Sequence, residues 1–192
     1  PLYDASTSSF DKSESKTITN NLTLRWDIWK GFYLTGSFSY SLSDSQSDKF
    51  VSPDHSSFET ETDPGKRGSY FISNMRGKSW QARIGLTYSK TLSDNGSILT
   101  LNVGANANKS NSNSNSFSGI GFLKGNLTDM AFANSYPTNG QPSGSESLSS
   151  SVGVFGNLNI IFLNRYFVDG SYRVSGSSKF GKDRRFAPFW SV

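Results

Sequence analysis

An alternation running from Phe32 to Leu42 restricts this chain more than any other feature. The segment reads Phe-Tyr-Leu-Thr-Gly-Ser-Phe-Ser-Tyr-Ser-Leu, so Phe32, Leu34, Phe38, Tyr40 and Leu42 share one face while Thr35, Ser37, Ser39 and Ser41 share the other. A period of two is the signature of a β-strand with unlike faces. The segment before it repeats the pattern, with Leu22, Leu24, Trp26 and Ile28 set against Thr23, Arg25 and Asp27. Lys30-Gly31 links the two, a tight-hairpin spacing even though Lys is not the preferred first residue.

The pattern returns twice. Trp80, Ala82, Ile84, Leu86 and Tyr88 alternate with Gln81, Arg83, Gly85, Thr87 and Ser89. After the turn signal Ser93-Asp94-Asn95-Gly96, Leu99, Leu101, Val103 and Ala105 oppose Asn102, Gly104, Asn106 and Asn108. Asn-Gly between alternating runs is a strong hairpin signal. A third pair runs through Val152, Val154, Leu158, Ile160 and Phe162, turns near Leu163-Asn164-Arg165, and returns with Tyr166, Val168, Tyr172 and Val174 against Asp169, Ser171 and Arg173. Six strands in three hairpins follow, and Phe-Trp-Ser-Val at the end reads as the opening of another.

Polar stretches separate the hairpins, at about 45–77 and 110–146, including the low-complexity run Lys109 to Ser116. Connections therefore alternate short and long, the arrangement of transmembrane β-barrels, which have short periplasmic turns and long extracellular loops. Each alternating run covers about 10 to 14 residues, against a globular mode of roughly 5 to 6 and the roughly 9 to 11 of a tilted membrane strand. Trp26, Trp29, Phe32 and Tyr33 flank the first turn and Phe162, Tyr166 and Phe167 the third. These aromatics suit an interfacial girdle, and equally the cross-strand pairs of any antiparallel hairpin.

Composition sets the outer limits. Hydrophobic residues make up 34% of the 192 and charged residues only 18%, and the polarity comes from 37 Ser, 16 Asn and 18 Gly. Aromatic residues reach 14%, which argues against a disordered chain. With no cysteine and a single histidine, His55, disulfide scaffolds, Cys-based zinc sites and two-histidine metal centres are excluded. No apolar run approaches the length of a membrane-spanning helix, and the first residues, PLYDASTSSF, lack the regions of a signal peptide. A closed membrane barrel needs at least about 8 strands, because an open edge in lipid leaves backbone groups unpaired. The expected architecture is therefore all-β: an antiparallel transmembrane β-barrel segment of about 6–7 strands from a larger barrel, with residues 1–192 all in one barrel domain.

The last stretch is the most specific. From Arg165-Tyr166 through Arg173, Gly176, Ser177, Ser178, Lys179, Phe180, Gly181 and Arg185 to Phe189, Ser191 and Val192, it resembles the barrel motif "rYlltatlRrDGSSrFG … fPSvs" of the SusC/RagA family of TonB-dependent outer-membrane transporters. Two positions depart from that motif: Ser175 stands where the family has Asp, and Trp190 where it has Pro. The resemblance covers the last 30 residues well and the rest weakly. It implies a 22-stranded barrel in the Gram-negative outer membrane. In such a barrel a TonB complex moves a plug, and a SusD-like surface lipoprotein closes the outer mouth over an oligosaccharide or peptide. The plug and the remaining strands are expected outside these residues. Two alternatives stand beside it: a TonB-dependent siderophore or cobalamin receptor, and a non-transporting, adhesin-like surface β protein whose apolar faces bury one another.

Function is sought on the polar faces, where Arg25, Asp27, Arg83, Asn102, Asn106, Asn157, Asn159, Asp169 and Arg173 would line a lumen. Such residues hydrogen-bond a sugar, contact a plug, or simply hold water, because lumen positions are polar whatever the cargo. Phe58, Tyr70, Phe71, Phe117, Phe122, Phe132 and Tyr136 in the polar stretches offer stacking surfaces for a sugar or a lid, or pack among themselves. His55 beside Asp54, with Glu59, Glu61 and Asp63, matches no metal or acid–base template and reads as a solvated loop. Gly119 to Gly121 lacks the strand–helix context of a phosphate loop. Basic residues are scattered, with the densest group at Lys179, Lys182, Arg184 and Arg185, which suits lipopolysaccharide or neighbouring loops better than nucleic acid. No catalytic residue, cofactor or metal is expected.

Overall fold

The short turns set the register of the strands. A computed structural model describes Asp4 and residues 6–93, 96–180 and 186–192. In it, Lys30-Gly31 joins β1 (Phe10–Trp29) to β2 (Phe32–Val51). Gly31 has φ +82, its carbonyl accepts the Ser89 N–H at 2.8 Å, and a Cβ there would stand 2.3 Å from the Ser89 carbonyl oxygen. Only glycine meets both demands. Ser89 belongs to β3 (Ser69–Ser93), which is followed by β4 (Ser97–Ile120). Asp94 and Asn95 of the expected Asn-Gly turn lie outside the described residues, while Gly96 has the expected positive φ of 80. β5 (Ser143–Phe162) and β6 (Tyr166–Ser177) are joined at Leu163-Asn164. There the Arg165 N–H bonds the Phe162 carbonyl at 3.1 Å across two residues of φ 53, the primed turn geometry that matches strand twist.

With β7 (Phe186–Ser191), the strands form one sheet in the order β1-β2-β3-β4-β5-β6-β7, so every sequence neighbour is a spatial neighbour. The register sets apolar residues of the uncovered face opposite one another. On the β5–β6 pair, Val154 faces Val174, Ile160 faces Val168 and Phe162 faces Tyr166, while Asn157 faces Ser171 and Asn159 faces Asp169. On β6–β7, Tyr172 faces Trp190 and Arg173 faces Phe189.

The strands are longer than the alternation suggests: β1, β2 and β5 have 20 residues each, β3 has 25 and β4 has 24. The polar stretches expected as loops over 45–77 and 110–146 are correspondingly shorter, because β2 continues to Val51, β3 starts at Ser69, β4 reaches Ile120 and β5 starts at Ser143. Lys109 to Ser116 is strand rather than loop. Low intrinsic strand propensity is overridden there by pairing: Ser114 and Ser116 hydroxyls meet those of Ser145 and Ser143 at 2.8 Å each. Ser13 and Ser47 do the same at 3.2 Å on β1 and β2.

Two compact units are distinguished. In one, comprising Ile18–Leu42, Lys78–Asn111 and Leu148–Val192, the apolar side chains stand uncovered. Leu24 is 61% exposed, Trp26 59% and Val154 56%. An apolar face of this extent suits hydrocarbon, not water. The unit's ends at Ile18 and Leu42 are also where the apolar alternation stops: Lys12, Glu14 and Lys16 hold the same-parity positions before Ile18, and Asp44, Gln46 and Asp48 those after Leu42.

The other unit, Pro1–Thr17, Ser43–Gly77 and Ser112–Ser147, has a small aromatic core. Phe50 and Phe122 are the buried large apolar side chains among the described residues, 1% exposed each, and their rings meet edge to face at 5.1 Å. Phe10 and Tyr70 complete the cluster. Segments 52–68 and 121–142 are tied together by Phe122 N–H to the Arg67 carbonyl at 2.8 Å and Gly121 N–H to the Gly68 carbonyl at 3.2 Å, and an Ile120–Ser135 bridge ties the second segment to the end of β4. The adhesin-like alternative expects apolar strand faces that bury one another. Here those faces stand uncovered among the described residues, and the packed aromatic core is made by Phe10, Phe50 and Tyr70 at strand ends with Phe122 of a loop.

Candidate functional site

The second face of the unit comprising Ile18–Leu42, Lys78–Asn111 and Leu148–Val192 carries the polar residues singled out by the sequence, held in separate groups. Arg25 donates from Nε at 3.2 Å and from Nη2 at 3.1 Å to one oxygen of Asp27, two residues along on the same face, and its guanidinium lies 4.1 Å from the Tyr33 ring centre. Asn102 donates to the Thr87 hydroxyl at 2.6 Å. Asn159 donates to Asp169, its cross-strand partner. Asn157 sits opposite Ser171, whose hydroxyl meets that of Ser191 at 2.7 Å. Arg25 with Asp27, Asn102 with Thr87 and Asn159 with Asp169 bond within their own groups.

Arg83, Asn106 and Arg173 come together differently. The Arg83 guanidinium stacks 4.8 Å from the ring centre of Phe155, and Phe155 is the cross-strand partner of Arg173. Arg173 donates from Nε to the Ser175 hydroxyl at 2.7 Å and from Nη2 to the Asn106 side-chain oxygen at 3.4 Å. Both arginines open on a groove of about 290 Å³, which Gln81, Ser37 and Asn108 help to line. A larger hollow of about 390 Å³ is walled mainly by aliphatic side chains, including Ile84, Val152, Val154 and Val174 of the apolar face. Phe155, Gln81 and Asn108 are additions to the sequence-derived set. Phe155 had a legible signal, since it follows Val154 directly and so falls out of phase with the apolar positions of β5.

The C-terminal motif residues serve strand pairing. Gly176 sits between Val152 and Phe186 in the ladder. The Ser178 N–H reaches the Ser150 carbonyl and the Ser178 hydroxyl accepts the Ser150 N–H, both at 2.9 Å. Ser177 accepts the Lys179 N–H on its hydroxyl and the Phe180 N–H on its carbonyl, 3.2 Å each, so it folds the chain out of the strand. Phe189 and Ser191 share the polar face with Arg173 and Ser171. Gly181 and Arg185, with Lys182 and Arg184, lie outside the described residues.

The acidic cluster around His55 is a set of turn caps. His55 Nδ1 accepts the Ser57 N–H at 3.1 Å, Glu61 accepts that of Asp63 at 3.0 Å, and Asp63 accepts that of Gly65 at 2.9 Å. Among the described residues no group of acids and histidine is placed to hold a metal. Asp4 accepts the Ser56 N–H and hydroxyl at 2.9 Å each, and its carboxyl lies below the usual range, chiefly because of that backbone N–H. Of the loop aromatics, Tyr70 and Phe122 pack in the core, whereas Phe132 and Tyr136 are exposed.

Comparison with known proteins bears on the whole sheet. No family model matches the chain, and neither does any curated protein. Among solved structures, the RagAB peptide importer in its "open-open" state superposes with a TM-score of 0.80 at 18% identity, over 95% of this chain and 19% of that one. The chain thus has the fold of part of that importer's β-barrel wall. A second structure of the RagAB peptide transporter gives a TM-score of 0.79 at 19% identity, over 95% of this chain and 20% of that one. The siderophore receptor PiuA from Acinetobacter baumannii gives 0.52 at 13% identity, over 95% and 29%. The chain thus spans about a fifth of the length of the RagAB chains it matches.

Proposed function

We propose that this chain is part of the barrel wall of a TonB-dependent importer in the Gram-negative outer membrane, of the SusC/RagA type. The observation carrying this reading is the superposition on the RagAB peptide importer over 95% of the chain, on a sheet with one uncovered apolar face and one polar face. The polar face, with Arg25, Asp27, Arg83, Asn102, Asn106, Asn157, Asn159, Asp169 and Arg173, is the lumenal side. Residues 1–192 belong to one barrel domain, and the plug that closes it and contacts TonB lies elsewhere in the protein. The cargo is a nutrient oligomer, a peptide in preference to an oligosaccharide, in keeping with the RagAB peptide importer on which the chain superposes. A SusD-like surface lipoprotein caps the mouth, and lipid with lipopolysaccharide surrounds the wall. The protein moves its cargo without altering it, and is not an enzyme.

Two experiments test this. In the intact protein, single cysteines at Leu34, Phe38 and Val168 should react only with membrane-dissolved reagents, and cysteines at Ser37, Ser39 and Ser171 only with aqueous ones. Equal aqueous labelling of both sets would overturn the membrane reading. Uptake of fluorescent oligopeptides should be lost on deletion of the protein and on collapse of the proton gradient, and a surface lipoprotein should co-purify. The PiuA match favours one second reading, a siderophore receptor. It takes over if iron–siderophore uptake is lost and peptide uptake is not.

A further inference from the structure

On the polar face, positive charge outruns negative. Strands β3, β4 and β7 contain no Asp or Glu, β5 contains only Glu146 and β6 only Asp169. Asp169 is bonded to Asn159 and stands four residues from Arg173 on the same strand, roughly 13 Å at the rise of a strand. Glu146 is nine residues from Phe155, roughly 30 Å along β5. Among the described residues no carboxylate lies within 4.0 Å of either Arg83 or Arg173. Their partners are an aromatic ring, a hydroxyl and an amide oxygen, all uncharged.

We infer that Arg83 and Arg173 form a carboxylate-binding site on the wall, completed by the side-chain amides of Asn106, Asn108 and Gln81. A guanidinium presents its donors in a planar fork that matches a carboxylate and cannot lose its charge. Stacking on Phe155 holds Arg83, and the bonds to Ser175 and Asn106 hold Arg173, so little side-chain freedom remains to be lost when the anion arrives. The amides lining the groove offer further N–H donors. A neutral sugar would use those amides but has no charge to offset two guanidiniums. The inference rests on the import reading and adds the chemistry of the cargo to it. The carboxylate comes either from a transported peptide or from an acidic side chain of the protein's own segment inside the barrel.

The test measures the rate at which p-hydroxyphenylglyoxal modifies Arg83 and Arg173 in the intact protein in nanodiscs, read by mass spectrometry. The probes are the peptide Gly-Glu-Glu-Gly and its uncharged counterpart, amidated Gly-Gln-Gln-Gly. If cargo is the source, both arginines react readily alone, and the acidic peptide slows them roughly tenfold or more while the amide does not. Ser175→Asp, which puts a carboxylate beside Arg173, abolishes that protection. If the protein's own segment is the source, both arginines react slowly without any peptide, and Ser175→Asp speeds Arg83 by releasing the segment. Ready reaction with no protection by the acidic peptide overturns the inference. So does slow reaction that Ser175→Asp leaves unchanged, which marks simple burial. Neither overturning result touches the import reading, which stands or falls on cysteine labelling and uptake.

Discussion

An arginine at Leu158 tests the lipid-facing wall against every aqueous arrangement. Leu158 is 38% exposed and pairs with Gly170, where an ideal Cβ would meet nothing within 4 Å. A longer side chain therefore fits at 158, and steric strain does not confuse the result. Leu158 stands four residues from Phe162 at the turn, about 13 Å along the strand. At a tilt of about 40° this is about 10 Å in depth, close to the middle of an apolar band about 25 Å tall. An arginine there costs about 2–4 kcal/mol, which shifts the folding equilibrium about 30- to 900-fold at 1.36 kcal/mol per decade. The neighbouring residue supplies the control, because Asn157 points to the other face opposite Ser171. Asn157→Arg should change stability by no more than about 0.5 kcal/mol. Both are measured by guanidinium titration of the intact protein in phospholipid vesicles, followed by tryptophan fluorescence, with Leu158→Ala separating the lost aliphatic side chain from the added charge. Equal costs at 157 and 158, or a Leu158→Arg cost below about 0.5 kcal/mol, would refute the assignment of faces.

Four further predictions concern a turn, a strand glycine and the loops. Gly31→Ala should cost about 1–2 kcal/mol for its φ of +82, and more for the contact with the Ser89 carbonyl, in the same titration. Gly36→Ala should be nearly neutral, since its nearest neighbour is the Leu24 Cβ at 4.0 Å. Phe122→Ala removes the ring packed edge to face on Phe50, a truncation that costs about 3–5 kcal/mol when the site cannot collapse, and should expose Lys124 to trypsin. The pH prediction concerns Asp4. Folding lowers its pKa, so its hold on Ser56 is present above the ordinary carboxylate value of about 3.9 and is lost as pH falls through the lower folded value. Protection of the Ser56 amide, the slowing of its exchange relative to that of an unfolded peptide at the same pH, should therefore fall on acidification through that range, and Asp4→Asn should remove most of this pH dependence.

The faces of the sheet were legible because a period of two leaves no choice: once Leu24 and Leu34 are assigned to one side, Arg25 and Thr35 must take the other. The hairpins were legible for a related reason, since Lys30-Gly31 and Leu163-Asn164 interrupt the alternation where left-handed residues are needed. The strand lengths were not. Ser and Asn carry little strand preference of their own, and the bonds that make Lys109 to Ser116 a strand run to residues about 30 positions away, such as Ser145 and Ser143. A reading of neighbours along the chain cannot register them. The same limit hid the aromatic core, because Phe10, Phe50, Tyr70 and Phe122 are scattered over the sequence. The acids near His55 invited a chemical reading, yet each is bonded to a backbone N–H two residues ahead or exposed in a turn.

The candidate site was half legible, and the missing half was electrostatic. Parity alone places Arg83, Asn106 and Arg173 on one face. It also puts Phe155 there, but it does not say that the Arg83 guanidinium lies over the Phe155 ring, nor that Arg173 spends its Nε on Ser175, an uncharged neighbour. Arg25 shows the contrast: two residues along, it finds Asp27, and the pair is internally balanced. Had residue 175 been an acid, Arg173 would have been balanced in the same way, and only Arg83 would remain. On a wall built mostly of Ser, Asn and Gly, where only 18% of all residues are charged, two uncompensated guanidiniums beside one groove set the local potential. A hydroxyl at 175 therefore does more than fill a strand position, because it leaves Arg173 free to bind an anion that the described residues do not supply.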